Sequence, residues 1–214
     1  MKNSLLQIFI AITLATLAMP LFADSVSGKT IAMQGNGKGA TGCATCHGQQ
    51  GEGKAGSGYP YLAGLPVEYV ENQLKAYQNG TRKNVIMKPV AKALTAKEIK
   101  AVANYYAQLE NPTLAKTSLN QPEKPTTGSR LVHTGKWEAG VPSCVKCHGE
   151  NGKGVPPHFP PIVGQPAGYI KSQFTAWQKG NRSNDPIGLM QSVANGMTQE
   201  DINAVAEYLA KSEQ

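Results

Sequence analysis

Two stripes of apolar residues at helical spacing open the reading of this chain. Ile99, Val102, Ala103 and Tyr106 fall at i, i+3, i+4 and i+7, and Ile202, Val205, Ala206 and Leu209 repeat the pattern near the C-terminus. Each stripe is preceded by a helix-start signal, Thr95-x-x-Glu98 in one case and Thr198-x-x-Asp201 in the other. Upstream of each lies a second periodic run. Val67, Val70, Leu74 and Tyr77 form one, and Ile170, Phe174 and Trp177 form its partner. Both runs follow a proline, Pro66 or Pro166, placed as a first helical residue would be. Both stop at a glycine, Gly80 or Gly180, as a C-terminal cap would. Shorter helices are expected at 29–34 and 129–137. No strand alternation is evident, so the pattern predicts an all-α protein.

The duplicated pattern reflects a duplicated sequence. Residues 64–82 match 164–182 without a gap, with eight of 19 positions identical, among them Tyr69/Tyr169, Gln73/Gln173 and Arg82/Arg182. Tyr59-Pro60 answers Phe159-Pro160, and the C-terminal helices align at an offset of 103. The organisation expected is a first domain over 24–115, a linker over 116–128 and a second domain over 129–214. Pro112, Pro122 and Pro125 mark the connecting stretch. A domain under ~90 residues buries little apolar surface and often needs a cofactor at its centre.

Residues 1–23 predict a removed export signal: Lys2, then a nearly continuous apolar run from Leu5 to Ala18, then a small residue at Ala23. The run is shorter than the roughly 20 residues a spanning helix needs. The formal net charge of the chain is +7. Residues 24–116 carry eleven basic and six acidic side chains, +5, and residues 117–214 carry nine and eight, +1. The lysines are dispersed and no recognition motif accompanies them, which speaks against nucleic acid. They suit a solvated surface, or a face that meets an acidic redox partner.

Four cysteines in an exported chain would ordinarily suggest two disulfides. Here they stand as Cys43-x-x-Cys46-His47 and Cys144-x-x-Cys147-His148. A disulfide gives no reason for the adjacent histidines, whereas covalent haem does. Two cysteines one helical turn apart reach the two vinyl groups on one porphyrin edge, and the next residue falls under the iron. Zinc would require a fourth ligand at each site. The remaining histidines, His133 and His158, are not equivalent under the repeat and do not supply it.

A sixth iron ligand should recur in both copies. Met1 and Met19 lie in the signal, Met33 has no methionine counterpart, and Met197 aligns with Leu94 as a core residue. Met87 and Met190 align with each other, seven residues before Leu94 and Met197. They are the candidate axial ligands opposite His47 and His148. His/Met ligation fills both axial positions and raises the potential, which suits electron transfer rather than catalysis at the metal. Pro60 and Pro160 are read either as carbonyl acceptors for the histidine ring N–H or as turn prolines. Arg82 and Arg182 are read either as propionate partners or as exposed caps.

With these motifs, with Gly164-Gln165-Pro166-x-x-Tyr169 and with Arg182-Ser183-Asn184-Asp185-Pro186, the chain resembles the dihaem cytochrome c4 family. The resemblance implies two tandem cytochrome c folds related by a pseudo-twofold axis, with two covalently bound haem c groups and no enzyme activity. It further implies a periplasmic place, sometimes membrane-associated. The redox partners implied are the quinol-cytochrome c reductase side as donor and a terminal oxidase, such as the cbb3 type, as acceptor. The competing expectation is a redox enzyme of the dihaem peroxidase or thiosulfate dehydrogenase type. Gly64-Leu65-Pro66 and the shorter segment between Arg82 and Met87 depart from the family pattern in the first copy.

Overall fold

The computed structural model describes residues 27–211 apart from 118, 120, 121 and 186. The expected signal, 1–23, lies outside the described residues.

Each half is built from the same five helices. In the first they are α1 (Gly28–Gln34), α2 (Ala44–His47), α3 (Val67–Asn79), α4 (Met87–Lys92) and α5 (Ala96–Ala107). After α6 (Pro112–Lys116), the second half runs α7 (Thr127–His133), α8 (Cys144–His148), α9 (Ala167–Gln178), α10 (Leu189–Asn195) and α11 (Gln199–Ala210). Both capping boxes form. The Thr95 hydroxyl accepts from the Glu98 backbone N–H while the Glu98 carboxylate accepts from Thr95, and Thr198 and Asp201 repeat the exchange. The stripes they introduce are buried, and α5 and α11 each pack against two helices of their own half.

Glycine sets the closest of these crossings. An ideal Cβ on Gly28 would stand 2.0 Å from the Ala101 carbonyl oxygen, and one on Gly128 would stand 2.3 Å from that of Ala204. The N-terminal helix of each half therefore lies backbone-to-backbone on the C-terminal helix. In each half a connecting segment of about ten residues leads from this helix to the Cys-x-x-Cys-His turn.

Some local features differ from expectation. Pro66 and Pro166 are the residues before the helices rather than their first residues, with extended ψ of 140° and 132°. Their carbonyls accept the first helical bonds, from Val70 and Ile170. Helix α7 starts earlier and ends sooner than 129–137. Thr126 caps it, and Gly135 at φ +85° turns the chain into a two-stranded antiparallel ribbon, β1 (Gly135–Lys136) with β2 (Val141–Pro142). The connecting stretch lacks apolar periodicity but makes one helical turn, α6. The Asn111 side chain accepts from Leu114 N–H and donates to the Ala63 carbonyl. Leu119 then buries in the core of the second half.

The two halves meet at an antiparallel bridge between Arg82 and Arg182. Lys83 N–H donates to Asn181 O and Ser183 N–H to Thr81 O, each at 2.7 Å, a symmetric exchange across a local pseudo-twofold axis. Tyr61 adds a second contact. Its hydroxyl donates to Val163 O at 3.0 Å, and its backbone exchanges two hydrogen bonds with the Gln165 side chain.

Candidate haem sites

Both motif histidines are buried and held identically. His47 Nδ1 lies 2.8 Å from Pro60 O, and His148 Nδ1 lies 2.7 Å from Pro160 O. A carbonyl only accepts, so the proton resides on Nδ1 and the Nε2 lone pair is available to a metal. The proline carbonyls thus take the acceptor role, and the turn-proline alternative is set aside. Burial depresses both histidine pKa values, more than the proline carbonyls raise them. The neutral ring that iron needs is the favoured form.

None of the four cysteines is in a disulfide, and all are partly exposed. Burial pushes the Cys144 thiol up to about 11 and raises that of Cys43 as well. Among the described residues, no three His, Cys, Asp or Glu side chains converge to hold a metal ion. The cysteines and histidine of each motif lie along one helical turn, an arrangement suited to a porphyrin edge.

Met87 opens α4, and Met190 is the second residue of α10. Both are half-buried, and Met190 packs on the same cluster as Cys144. Met197 sits in the core, as expected. Two pairs of residues that sequence reasoning overlooked position these helices. Asn84 Oδ1 accepts from Ile86 N–H and Met87 N–H, each at 2.9 Å. Asp185 accepts likewise from Met190 N–H and Gln191 N–H. Gln78 Nε2 donates to Ala91 O and Leu94 O, and Gln178 Nε2 to Ala194 O and Met197 O. The signal was present, since Gln78 and Gln178 are among the identical positions of the repeat.

Arg82 and Arg182 are not exposed caps; each is only 5% exposed, at the domain junction. Arg82 donates to Gln73 at 2.9 Å, and across the junction to Tyr169 at 2.9 Å and Gln173 at 2.7 Å. Arg182 donates to Gln173, Gln73 and Asn184 at 2.9, 3.1 and 3.1 Å. The guanidiniums lie over the rings of Tyr77 and Trp177, at 4.7 and 4.1 Å from the centroids. Among the described residues neither meets a carboxylate. Burial alone would raise the Tyr169 pKa, yet the two arginines outweigh it and hold the phenol below its ordinary value. Trp177 Nε1 is a buried donor with no partner among the described residues. Two buried cations and an orphaned donor call for an anion, and haem propionates are carboxylates that fit this demand.

The other two histidines lie outside the motifs. His133 Nε2 pairs with the Tyr208 hydroxyl at 2.9 Å, and His158 is exposed. No helix among the described residues is long and apolar enough to cross a membrane.

The cytochrome c family model matches residues 26–110 and again 126–213. The chain is 43% identical over 171 residues to the thiosulfate dehydrogenase electron acceptor of Thiomonas intermedia, covering 80% of this chain and 78% of that one. It is 36% identical over 170 residues to the cytochrome c4 of Thiocapsa roseopersicina, covering 78% and 85%. Among solved structures, reduced cytochrome c4 from Pseudomonas stutzeri superposes with a TM-score of 0.71 at 28% identity, over 89% of this chain and 99% of that one. A thiosulfate dehydrogenase from Marichromatium purpuratum superposes with a TM-score of 0.77 at 36% identity, over 86% of this chain. This chain spans 39% of that longer protein. The two curated relatives are named as an electron acceptor and as a cytochrome c4, names of electron carriers. The duplicated fold, the two Cys-x-x-Cys-His turns and these likenesses place the chain in the cytochrome c family, as a two-domain, cytochrome c4-like electron carrier with two covalently bound haem c groups.

Proposed function

We propose that this chain accepts electrons from a thiosulfate dehydrogenase in the periplasm and passes them toward a terminal oxidase. In this reading Cys43 and Cys46 attach one haem, whose iron is ligated by His47 and Met87. Cys144 and Cys147 attach the other, ligated by His148 and Met190. The observation that carries the reading is the matched pair of sites: a buried histidine fixed through Nδ1 by a proline carbonyl, and a methionine anchored at the start of the equivalent helix. Haem c supplies a one-electron couple when bound.

The protein's own residues then have distinct tasks. The Pro60 and Pro160 carbonyls orient the imidazoles and raise their basicity as ligands. The methionine thioethers of Met87 and Met190 would serve as soft iron ligands, which favour the ferrous state. Arg82, Arg182 and Trp177 Nε1 would compensate propionate charge at the junction. The apolar cores around α5 and α11 keep water from both sites. The thiosulfate assignment is supported by the names of the relatives, and the export assignment by residues 1–23.

The test uses the purified holoprotein with a purified thiosulfate dehydrogenase. Thiosulfate and the dehydrogenase together should reduce both haems, and thiosulfate with the chain alone should reduce neither. Reduction by thiosulfate without the dehydrogenase would contradict the carrier reading and favour an enzyme. Failure of the dehydrogenase to reduce the chain would remove the thiosulfate assignment.

A further inference from the structure

The two domains share a fold but not a surface. In the first, Lys88 and Lys92 lie one turn apart on α4, and Lys97 follows at the start of α5; all three are exposed. Lys38 is brought to the same place by the loop after α1. Asn36 Oδ1 accepts from Lys38 N–H at 2.9 Å, and Asn36 Nδ2 donates to Ala93 O at 2.7 Å, pinning the loop on the end of α4. Glu98, next to Lys97 in the chain, is buried and engaged by Thr95 and Asn36. None of the four lysines forms a salt bridge among the described residues. At the start of α4, just before Met87 and Lys88, Val85 and Ile86 are 92% and 49% exposed.

The repeat provides an internal comparison. At the positions aligned with Lys88, Lys92 and Lys97, the second domain has Gln191, Asn195 and Glu200. In the loop corresponding to that of Lys38, Lys136 is bound to Asp201 at 2.9 Å, and Glu138 follows an exposed Trp137. The fold alone therefore does not demand the lysines. The patch also lies next to the first haem site. Val85 and Ile86 immediately precede Met87, while Cys43 packs on the same cluster as Ala40, Val90, Ala93 and Leu94.

We propose that this face of the first domain, which runs along α4 from the exposed Val85 and Ile86 at its start to Lys92, Lys97 and Lys38 at its end, with Lys88 between, is the docking surface for an acidic redox protein. The apolar end excludes water at contact, and the lysines steer the approach over about a Debye length, ~10 Å at 0.1 M salt. Electrons exchanged there would use the haem of the first domain. The inference rests on the electron-carrier reading and specifies the partner's chemistry.

The experiment is stopped-flow electron transfer from reduced cytochrome b5, used as an acidic one-electron probe, to the oxidised holoprotein. One electron leaves the ferrous probe and reduces one ferric haem. The patch variant neutralises Lys38, Lys88, Lys92 and Lys97 to Gln. The control neutralises Lys124, Lys153, Lys179 and Lys211, which are exposed and change the net charge equally. The patch variant should react about tenfold more slowly at low ionic strength, within the range expected of electrostatic steering, and the deficit should vanish at high salt. The control should stay within about twofold of the unaltered protein. Equal slowing in both variants, slowing confined to the control, or no slowing in the patch variant overturns the proposal. Failure of the unaltered protein to oxidise the probe is a separate result, which overturns the carrier reading together with this surface.

Discussion

Gly128→Ala tests whether backbone contact between α7 and α11 holds the second domain together. Helix propensity alone predicts stabilisation, because alanine in place of a helical glycine gains up to ~1 kcal/mol. Packing predicts the opposite sign. The added Cβ would stand 2.3 Å from Ala204 O and 2.8 Å from Tyr208 Cβ. Contacts under 3.0 Å are essentially never seen, so the helices must part by roughly 0.7 Å at the first of these atoms. A backbone oxygen cannot rotate away as a side chain can. The cost therefore belongs in the upper part of the ~1–3 kcal/mol range for overpacking, and the net expectation is a loss of about 2 kcal/mol. The assay is guanidinium unfolding of the holoprotein followed by tryptophan emission. Both tryptophans, Trp137 and Trp177, belong to the second half, so the signal reports that domain alone. A midpoint shift at unchanged slope gives the difference. A variant as stable as the parent, or more stable, would refute the claim that the close crossing is a structural requirement.

Three further outcomes follow from the same sites. Thr198→Ala removes one half of a formed capping box and should cost the second domain about 1 kcal/mol in the same tryptophan assay. Glu98 accepts from the Thr95 backbone N–H, which holds its pKa below the ordinary value despite burial. A depressed carboxylate contributes stability in full above its unfolded value of about 4.3 and loses it as pH falls through the folded value. Glu98→Gln should therefore flatten the acid limb of the first domain's stability profile below about pH 4.3, as read by haem absorbance. Met190→His should lower the potential of the second haem in a potentiometric titration and leave the first nearly unchanged. Equal shifts in both would contradict the ligand assignment.

Much of the fold was legible because its signals are local. Thr95-x-x-Glu98 and Thr198-x-x-Asp201 declare helix starts within four residues, and the stripes behind them are the buried faces. The repeat register paired Met87 with Met190, and the structure places both at the start of equivalent helices. Less visible were features that depend on the chain folding back on itself. Arg82 touches Tyr169 and Gln173, 87 and 91 residues away, so its burial could not be read from the glycine that precedes it. The polar identities Gln73/Gln173 and Tyr69/Tyr169 carried that information, because polar residues repeated inside amphipathic helices mark a shared junction. The ribbon of β1 and β2 has two residues per strand, too short to show alternation. The turn of α6 depends on the Asn111 side chain rather than on periodicity.

The central claim is that both irons are closed by protein ligands, so that the chain carries electrons rather than performing chemistry at the metal. The most direct measurement is the optical spectrum of the ferrous holoprotein before and after carbon monoxide, with haem counted per chain. Two haems per chain, both low-spin and both unchanged by carbon monoxide, are predicted. A high-spin ferrous haem that binds carbon monoxide readily would show an open coordination position and contradict the account.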